Sequence, residues 1–207
     1  MNSAKLIWIT PDAEKLVGKI ARVSNPANED NPNVEGLLKY LIKHKHWSPF
    51  EMASMCVEIK TTRAIAPQIL RHRSFSFQEF SQRYAVAVDA PIPKIRRQDE
   101  KNRQNSINDI PFDMRSRYYD KINAHFDQAF ELYEEMLADG VAKECARAVL
   151  PINTETRLYM SGTIRSWLHY VDLRSAHGTQ FEHIKIAEYV REILFKEVPT
   201  ISHAMWG

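Results

Sequence analysis

Cysteine is scarce: Cys56 and Cys145 are the only two in 207 residues, and neither belongs to a CxxC or Cys-His cluster. A disulfide framework is thereby excluded, and a reducing, cytoplasmic setting is the expectation, with cysteine acting as a small buried hydrophobe. An excess of one charge is lacking too, since 28 Lys and Arg stand against 26 Asp and Glu for a formal net charge of +2. No overall field draws such a chain onto a nucleic acid or a membrane. No apolar run is long enough to span a bilayer, and the opening MNSAKLIWIT has neither the basic start nor the apolar stretch of a signal peptide. No G-x-G-x-x-G follows a predicted strand, so a Rossmann domain is not indicated. His169, His177 and His183 do not share a helical face and have no HExxH or carboxylate triad beside them, so no metal is expected. No Ser-x-Gly elbow or Cys/His pair argues for acyl transfer.

What is present suits one folded domain over residues 1–207, without internal repeat or linker. Residues 5–10 predict a strand, and 13–23 and 34–42 predict amphipathic helices around an Asn- and Pro-rich loop. Residues 50–60 read as a strand. A helix is expected from Thr61 or Thr62 to Arg73, with Pro67 kinking it or marking a later start. Ser74 to Val88 reads as a strand broken by a ligand-binding turn, and Asp89 to Pro111 as a mobile surface loop whose Arg96 and Arg97 are solvated. Long and short helices follow over 112–137 and 141–150, then a strand over 153–160. Ser161-Gly162-Thr163 reads as a turn capping a helix that carries Ile164, Trp167, Leu168 and Val171, and a last helix covers 179–195.

The chemistry concentrates in Arg71 to Arg83, RHRSFSFQEFSQR, where three arginines and a histidine alternate with aromatics and hydroxyls. A merely solvated stretch would carry Lys and more acids, whereas Lys is absent here and Glu79 is the only acid. Guanidinium forks grip phosphate oxygens and stack on rings, and hydroxyls add short bonds, so the segment suits planar rings that bear phosphates. The alternative is a single-stranded nucleic-acid surface built on residues 71–84, where basic and stacking groups also interleave.

Arg71-His72-Arg73, Ser76, Ser81 and Arg83 match RHR-xx-S-xxxx-S-x-R, and the segment resembles the signature of the flavin-dependent thymidylate synthases. Three further blocks are similar to the same family: His46-Trp47-Ser48-Pro49-Phe50-Glu51 to H-x-[ST]-P-F-E, Ala146-Arg147 through Leu150-Pro151 to A-R-x-x-L-P, and Leu173-Arg174 through Gln180 to L-R-x-x-x-x-x-Q. The resemblance implies an α+β fold, an antiparallel sheet flanked by helices, assembled as a homotetramer whose active sites are shared between subunits. It implies conversion of dUMP to dTMP with 5,10-methylenetetrahydrofolate as carbon donor, FAD as hydride carrier and NADPH as reductant. By position it implies FAD contacts at Ser48, Arg71, His72, Arg73, Glu79, Thr163, Arg165 and His169, where some members carry Asn in place of His169. It implies nucleotide contacts at Gln68, Arg71, Glu79, Phe80, Ser81, Gln82, Arg83, Arg147 and Arg174. His46 would lie near the docking folate, and Arg174 would polarise the uracil ring. Ser81 has no base adjoining it in sequence and is expected to bind phosphate rather than act as nucleophile.

Overall fold

A computed structural model describes residues 2–207. The chain opens with β1 (Ser3–Ile9), α1 (Ala13–Ala21), α2 (Glu35–Lys43), β2 (Ser54–Thr62), α3 (Ala66–Leu70) and β3 (Ser76–Glu79). After the two-residue strands β4 (Arg97–Gln98) and β5 (Ser106–Ile107) come α4 (Phe112–Ala138), α5 (Lys143–Ala146) and β6 (Glu155–Thr163). Three helices close it: α6 (Ile164–Ser175), α7 (Phe181–Glu197) and α8 (Pro199–Trp206).

The expected architecture is present: an antiparallel four-stranded sheet of order β1-β2-β6-β3, covered by helices. One face is apolar, because the two-residue period of a strand puts Leu6, Val57, Met160 and Phe77 in cross-strand line, with Ala4, Ile59 and Leu158 in the next row. The other face carries Glu58, Tyr159 and Gln78, where the Tyr159 hydroxyl donates to Glu58 at 2.9 Å. Helices α6, α7 and α8 supply the rest of the core with Trp167, Leu168, Ile186, Val190, Leu194 and Ile201. Trp167 is fully buried, and its indole N–H donates to Met55 O at 3.0 Å, which ties α6 to β2. No helix of the described residues is long and apolar enough to cross a membrane.

Several boundaries differ from the sequence-based expectations. Ser48–Glu51 forms a 3-10 turn, with Pro49 in its first positions, so β2 begins at Ser54 instead of Phe50. β2 continues to Thr62, and Pro67 opens the short α3, as a proline lacking an N–H should. The predicted helix over 141–150 is reduced to α5 and a 3-10 turn at Arg147–Val149, and α8 was not anticipated at all. Residues 89–111 are not structureless: β4 pairs with β5, the Arg97 guanidinium bonds Asp109, and Asp99 accepts the N–H groups of Lys101 and Asn102. Cys56 is buried as expected, but Cys145 is exposed.

Ser161-Gly162-Thr163 is the end of β6, not a turn. Gly162 serves there because a Cβ would meet the Phe75 ring at 2.5 Å. Phe75 in turn lies edge-on to Trp167, 4.7 Å between ring centres, which holds the Arg71–Arg83 segment against the sheet. Gly162→Ala is expected to displace Phe75 and cost about 1–3 kcal/mol, the usual range for overpacking. Urea unfolding checks this, and unchanged stability would show that Phe75 does not anchor the segment.

Candidate active site

Gln68 of α3, Arg71 just beyond it and Arg174 near the end of α6 line one cleft of about 590 Å3, together with Leu173, His177, Thr179, Gln180 and Gln104. Arg174 Nε donates to His72 Nε2 at 2.8 Å. A ring nitrogen that accepts is unprotonated, so His72 is neutral and its proton sits on Nδ1. Burial first, then the Arg174 charge, push His72 down to about 4. The terminal nitrogens of Arg174 have no protein partner among the described residues, and a full positive charge remains available at the cleft wall. Gln68 and Arg71 share this wall because they are three apart at the end of one helix.

Behind the cleft lies a group of polar residues of which the sequence raised only His183, and that only as a metal candidate. Tyr170 and His183 are buried, with Tyr170 Oη 3.0 Å from His183 Nε2, and His183 Nδ1 is 3.3 Å from Gln68 Oε1. Burial pushes the Tyr170 hydroxyl up, and burial followed by the Arg174 and His72 charges pushes His183 down to about 3. Arg96, expected to be solvated, forms a fork on Glu182 at 2.6 and 2.9 Å with its side chain only 11% exposed.

Four of the residues expected to contact flavin, Ser48, Thr163, Arg165 and His169, lie on the Ser48–Glu51 turn and on the first half of α6 with its cap, which Glu51–Arg165 and Trp47–His169 contacts join. Ser48 is exposed at the start of its 3-10 turn, and Glu51 at the end of that turn binds Arg165 Nη1 at 2.5 Å. His169 is edge-on to Trp47, 4.7 Å between ring centres, and is held below its ordinary value by burial and then by Arg165, with Asp172 opposing. Thr163 caps α6 by accepting the Ser166 N–H at 3.2 Å. His46 is exposed and adjoins Tyr40 and His44. Arg71 and Arg73 are both exposed in the turn before β3. These donors suit a flavin with its carbonyls and phosphates, and Arg165 Nε is buried with no partner among the described residues.

The remaining residues lie elsewhere. Glu79 faces Arg63, 3.0 Å from its Nη1, and accepts from the Thr156 hydroxyl at 2.8 Å; its carboxylate is therefore taken up inside the chain. Phe80 adds its carbonyl to the same arginine at 2.7 Å. Ser81 Oγ accepts the Arg83 N–H at 3.3 Å, and Arg83 Nε reaches Glu144 at 3.0 Å. Gln82 is buried, and its Nε2 has no partner among the described residues. Arg147 opens a 3-10 turn after α5. Neither Ser81, Arg83 nor Arg147 lines the cleft of Arg174. Phe75 and Phe77 pack against the core, which removes the open stacking platform that the single-strand alternative needs.

Comparison with known proteins gives consistent matches. Residues 5–200 match the family described as "Thymidylate synthase complementing protein". A probable flavin-dependent thymidylate synthase of Paramecium bursaria Chlorella virus 1 is 51% identical, covering 98% of each chain. A flavin-dependent thymidylate synthase of Synechocystis is 52% identical over 93% of this chain and 89% of its own. Among solved structures, a UMP/dUMP methylase PolB from Streptomyces cacaoi bound with 5-Br dUMP superposes with a TM-score of 0.86 at 27% identity, covering 99% of this chain and 94% of that one.

The two most strongly depressed histidines, His72 and His183, predict an acid dependence. An unfolded histidine protonates near its ordinary value of about 6.5, whereas folded His72 and His183 stay neutral until about 4 and about 3. The unfolded chain therefore binds more protons between those limits, and stability that is complete above the upper limit is lost as pH falls toward the lower ones. Each histidine adds a slope of at most about 1.4 kcal/mol per pH unit, less for the half-buried His72. Urea unfolding across this window is expected to be less pH-dependent in His72→Gln than in the unchanged protein; equal slopes would contradict it.

Proposed function

The chain belongs to the flavin-dependent thymidylate synthases, and from that premise we propose that it carries out the reductive methylation of dUMP to dTMP in the cytoplasm. The observation that carries the reading is Arg174, held on neutral His72 at the wall of a cleft that Gln68 and Arg71 complete. With Nε occupied, the guanidinium offers the N–H groups of its two terminal nitrogens to a uracil carbonyl oxygen. That charge stabilises the negative charge that builds on the uracil as its C5 becomes nucleophilic. Because His72 is neutral, it accepts from Arg174 and adds no competing cation. Arg71 and Arg83 hold the phosphate end of the nucleotide, and Arg147 adds a contact to the ring.

Ser48, Arg165 and His169 would hold the flavin, taken to be FAD, with Arg71, His72 and Arg73 completing its contacts. The chemistry that a bound, reduced flavin supplies is hydride donation. The carbon donor is 5,10-methylenetetrahydrofolate, docked near His46, and NADPH is the reductant. The family resemblance supports these co-substrates.

The site is assembled between subunits of a homotetramer. In support, Arg147 stands apart from the Arg174 cleft, and the 27-residue α4 buries only Tyr133 while exposing Phe112, Met114, Tyr118 and Leu132. An amphipathic helix that leaves its apolar groups in water within one chain is suited to a second one.

Arg174→Ala is expected to abolish dTMP formation, measured with dUMP, methylenetetrahydrofolate, FAD and NADPH, while leaving the melting temperature nearly unchanged; turnover at the unchanged protein's rate would remove Arg174 from the mechanism. Subunit sharing has its own test. Arg147→Ala and Arg174→Ala chains, each inactive alone, should regain partial activity when co-expressed, because mixed assemblies contain sites with both arginines. No recovery in proven mixed tetramers would place both arginines of a site on one chain.

A further inference from the structure

The polar groups behind the cleft form one continuous chain of hydrogen bonds. It runs from the Tyr170 hydroxyl to His183 Nε2 at 3.0 Å, and from His183 Nδ1 to Gln68 Oε1 at 3.3 Å. It continues from Gln68 Nε2 to Gln180 Oε1 at 2.7 Å and from Gln180 Nε2 to Glu182 Oε2 at 3.1 Å. The Arg96 fork on Glu182 terminates it, and Arg96 Nε also donates to Ser106 Oγ at 2.7 Å.

Chemistry allows this chain only one direction. Burial works to raise the Glu182 carboxyl, but the Arg96 bonds overcome it, and the group is a carboxylate that can only accept. Gln180 must therefore present its amide nitrogen to Glu182 and its oxygen to Gln68. Gln68 must then donate from Nε2, which leaves its Oε1 to accept. His183 must carry its proton on Nδ1, and its bare Nε2 accepts from Tyr170. The Gln68 carboxamide is thus fixed in one of its two flips. Its nitrogen has two hydrogens, of which Gln180 takes one, and Gln68 lines the cleft.

We propose that His183 is a positioning residue for nucleotide binding: its Nδ1–H holds the Gln68 carboxamide so that the second amide N–H points into the cleft and meets an acceptor oxygen of the nucleotide. The inference rests on Gln68 being a dUMP contact, as proposed above. A flipped amide would present a lone pair to that oxygen, and the contact would become repulsive. Gln180 Oε1, fixed as an acceptor by Glu182, sets this flip from the nitrogen side, and the His183 Nδ1–H locks it from the oxygen side, where no other donor reaches Gln68 Oε1 among the described residues.

The experiment compares Gln68→Ala, His183→Leu, His183→Gln and the Gln68→Ala/His183→Leu double variant as full-length, flavin-loaded proteins. Dissociation of dUMP, KM for dUMP, kcat and flavin retention are measured for each. Gln68→Ala and His183→Leu should each weaken dUMP binding roughly tenfold, with KM rising far more than kcat falls. The double variant should be no worse than Gln68→Ala, since His183 acts through Gln68. His183→Gln, which keeps a donor of similar reach, should recover most of the loss. Independent losses that add in the double variant, or a His183→Leu variant that binds dUMP as the unchanged protein does, would overturn the inference alone. Unchanged dUMP binding in Gln68→Ala would overturn the nucleotide reading of Gln68 and this inference with it. If His183→Leu does not fold, nitrogen NMR of the unchanged protein reads the tautomer directly. A proton on Nδ1 down to about pH 5 is expected, and a proton on Nε2, or an imidazolium at neutral pH, would overturn the assignment.

Discussion

A cation that is firmly held without being neutralised is the constraint on which the site depends. Arg63, Arg83, Arg96 and Arg165 are each held by a carboxylate. Arg174 is held by an imidazole that cannot cancel its charge. For this to work His72 must be neutral, and its partial burial and the neighbouring guanidinium both keep it so. The fold supplies that environment indirectly. The β2–β6 ladder sets Trp167 on Met55, Trp167 meets Phe75, and the Phe75 ring is edge-on to His72 at 6.3 Å. The sheet thus fixes where the arginine-rich segment turns, and α6 brings Arg174 to meet it.

The acid partners of the other arginines carry a different consequence. Arg83 with Glu144 and Arg165 with Glu51 are each around half exposed, and surface pairs of this kind contribute about 0–1 kcal/mol. A ligand phosphate arriving at either arginine exchanges one anion for another at small cost. Glu79 differs, because it is largely buried and bonded to both Arg63 and Thr156, and its release would leave a charged group unsatisfied.

The sequence was most legible where the information is local. The sheet strands, the long α4 and the Pro67 boundary follow from periodicity and from proline chemistry. The C-terminal α8 escaped because only its contacts with α2 and α7 make its apolar residues a face. Ser161 to Thr163 was misread because Gly162 suggested a turn, when its actual service is to admit Phe75 from another segment. Tyr170 and Glu182 went unnoticed, and His183 was weighed only as a metal ligand, for the same reason. Nothing adjacent to them hints that a helix would lay His183 against Gln68, 115 positions earlier. Arg96 sat in so polar a run that solvation was the natural reading, yet Glu182 draws it in. Arg147 was legible as a motif, but no signal within one chain brings it to the cleft.

The proposed reaction requires one site that takes both flavin and dUMP. Visible absorption tests it most directly: the purified protein is loaded with FAD, freed of excess, reduced with NADPH and titrated with dUMP. A flavin band that stays with the protein, bleaches on reduction and changes when dUMP is added is the predicted result. A protein that retains no flavin, or whose flavin spectrum ignores dUMP, would contradict the account.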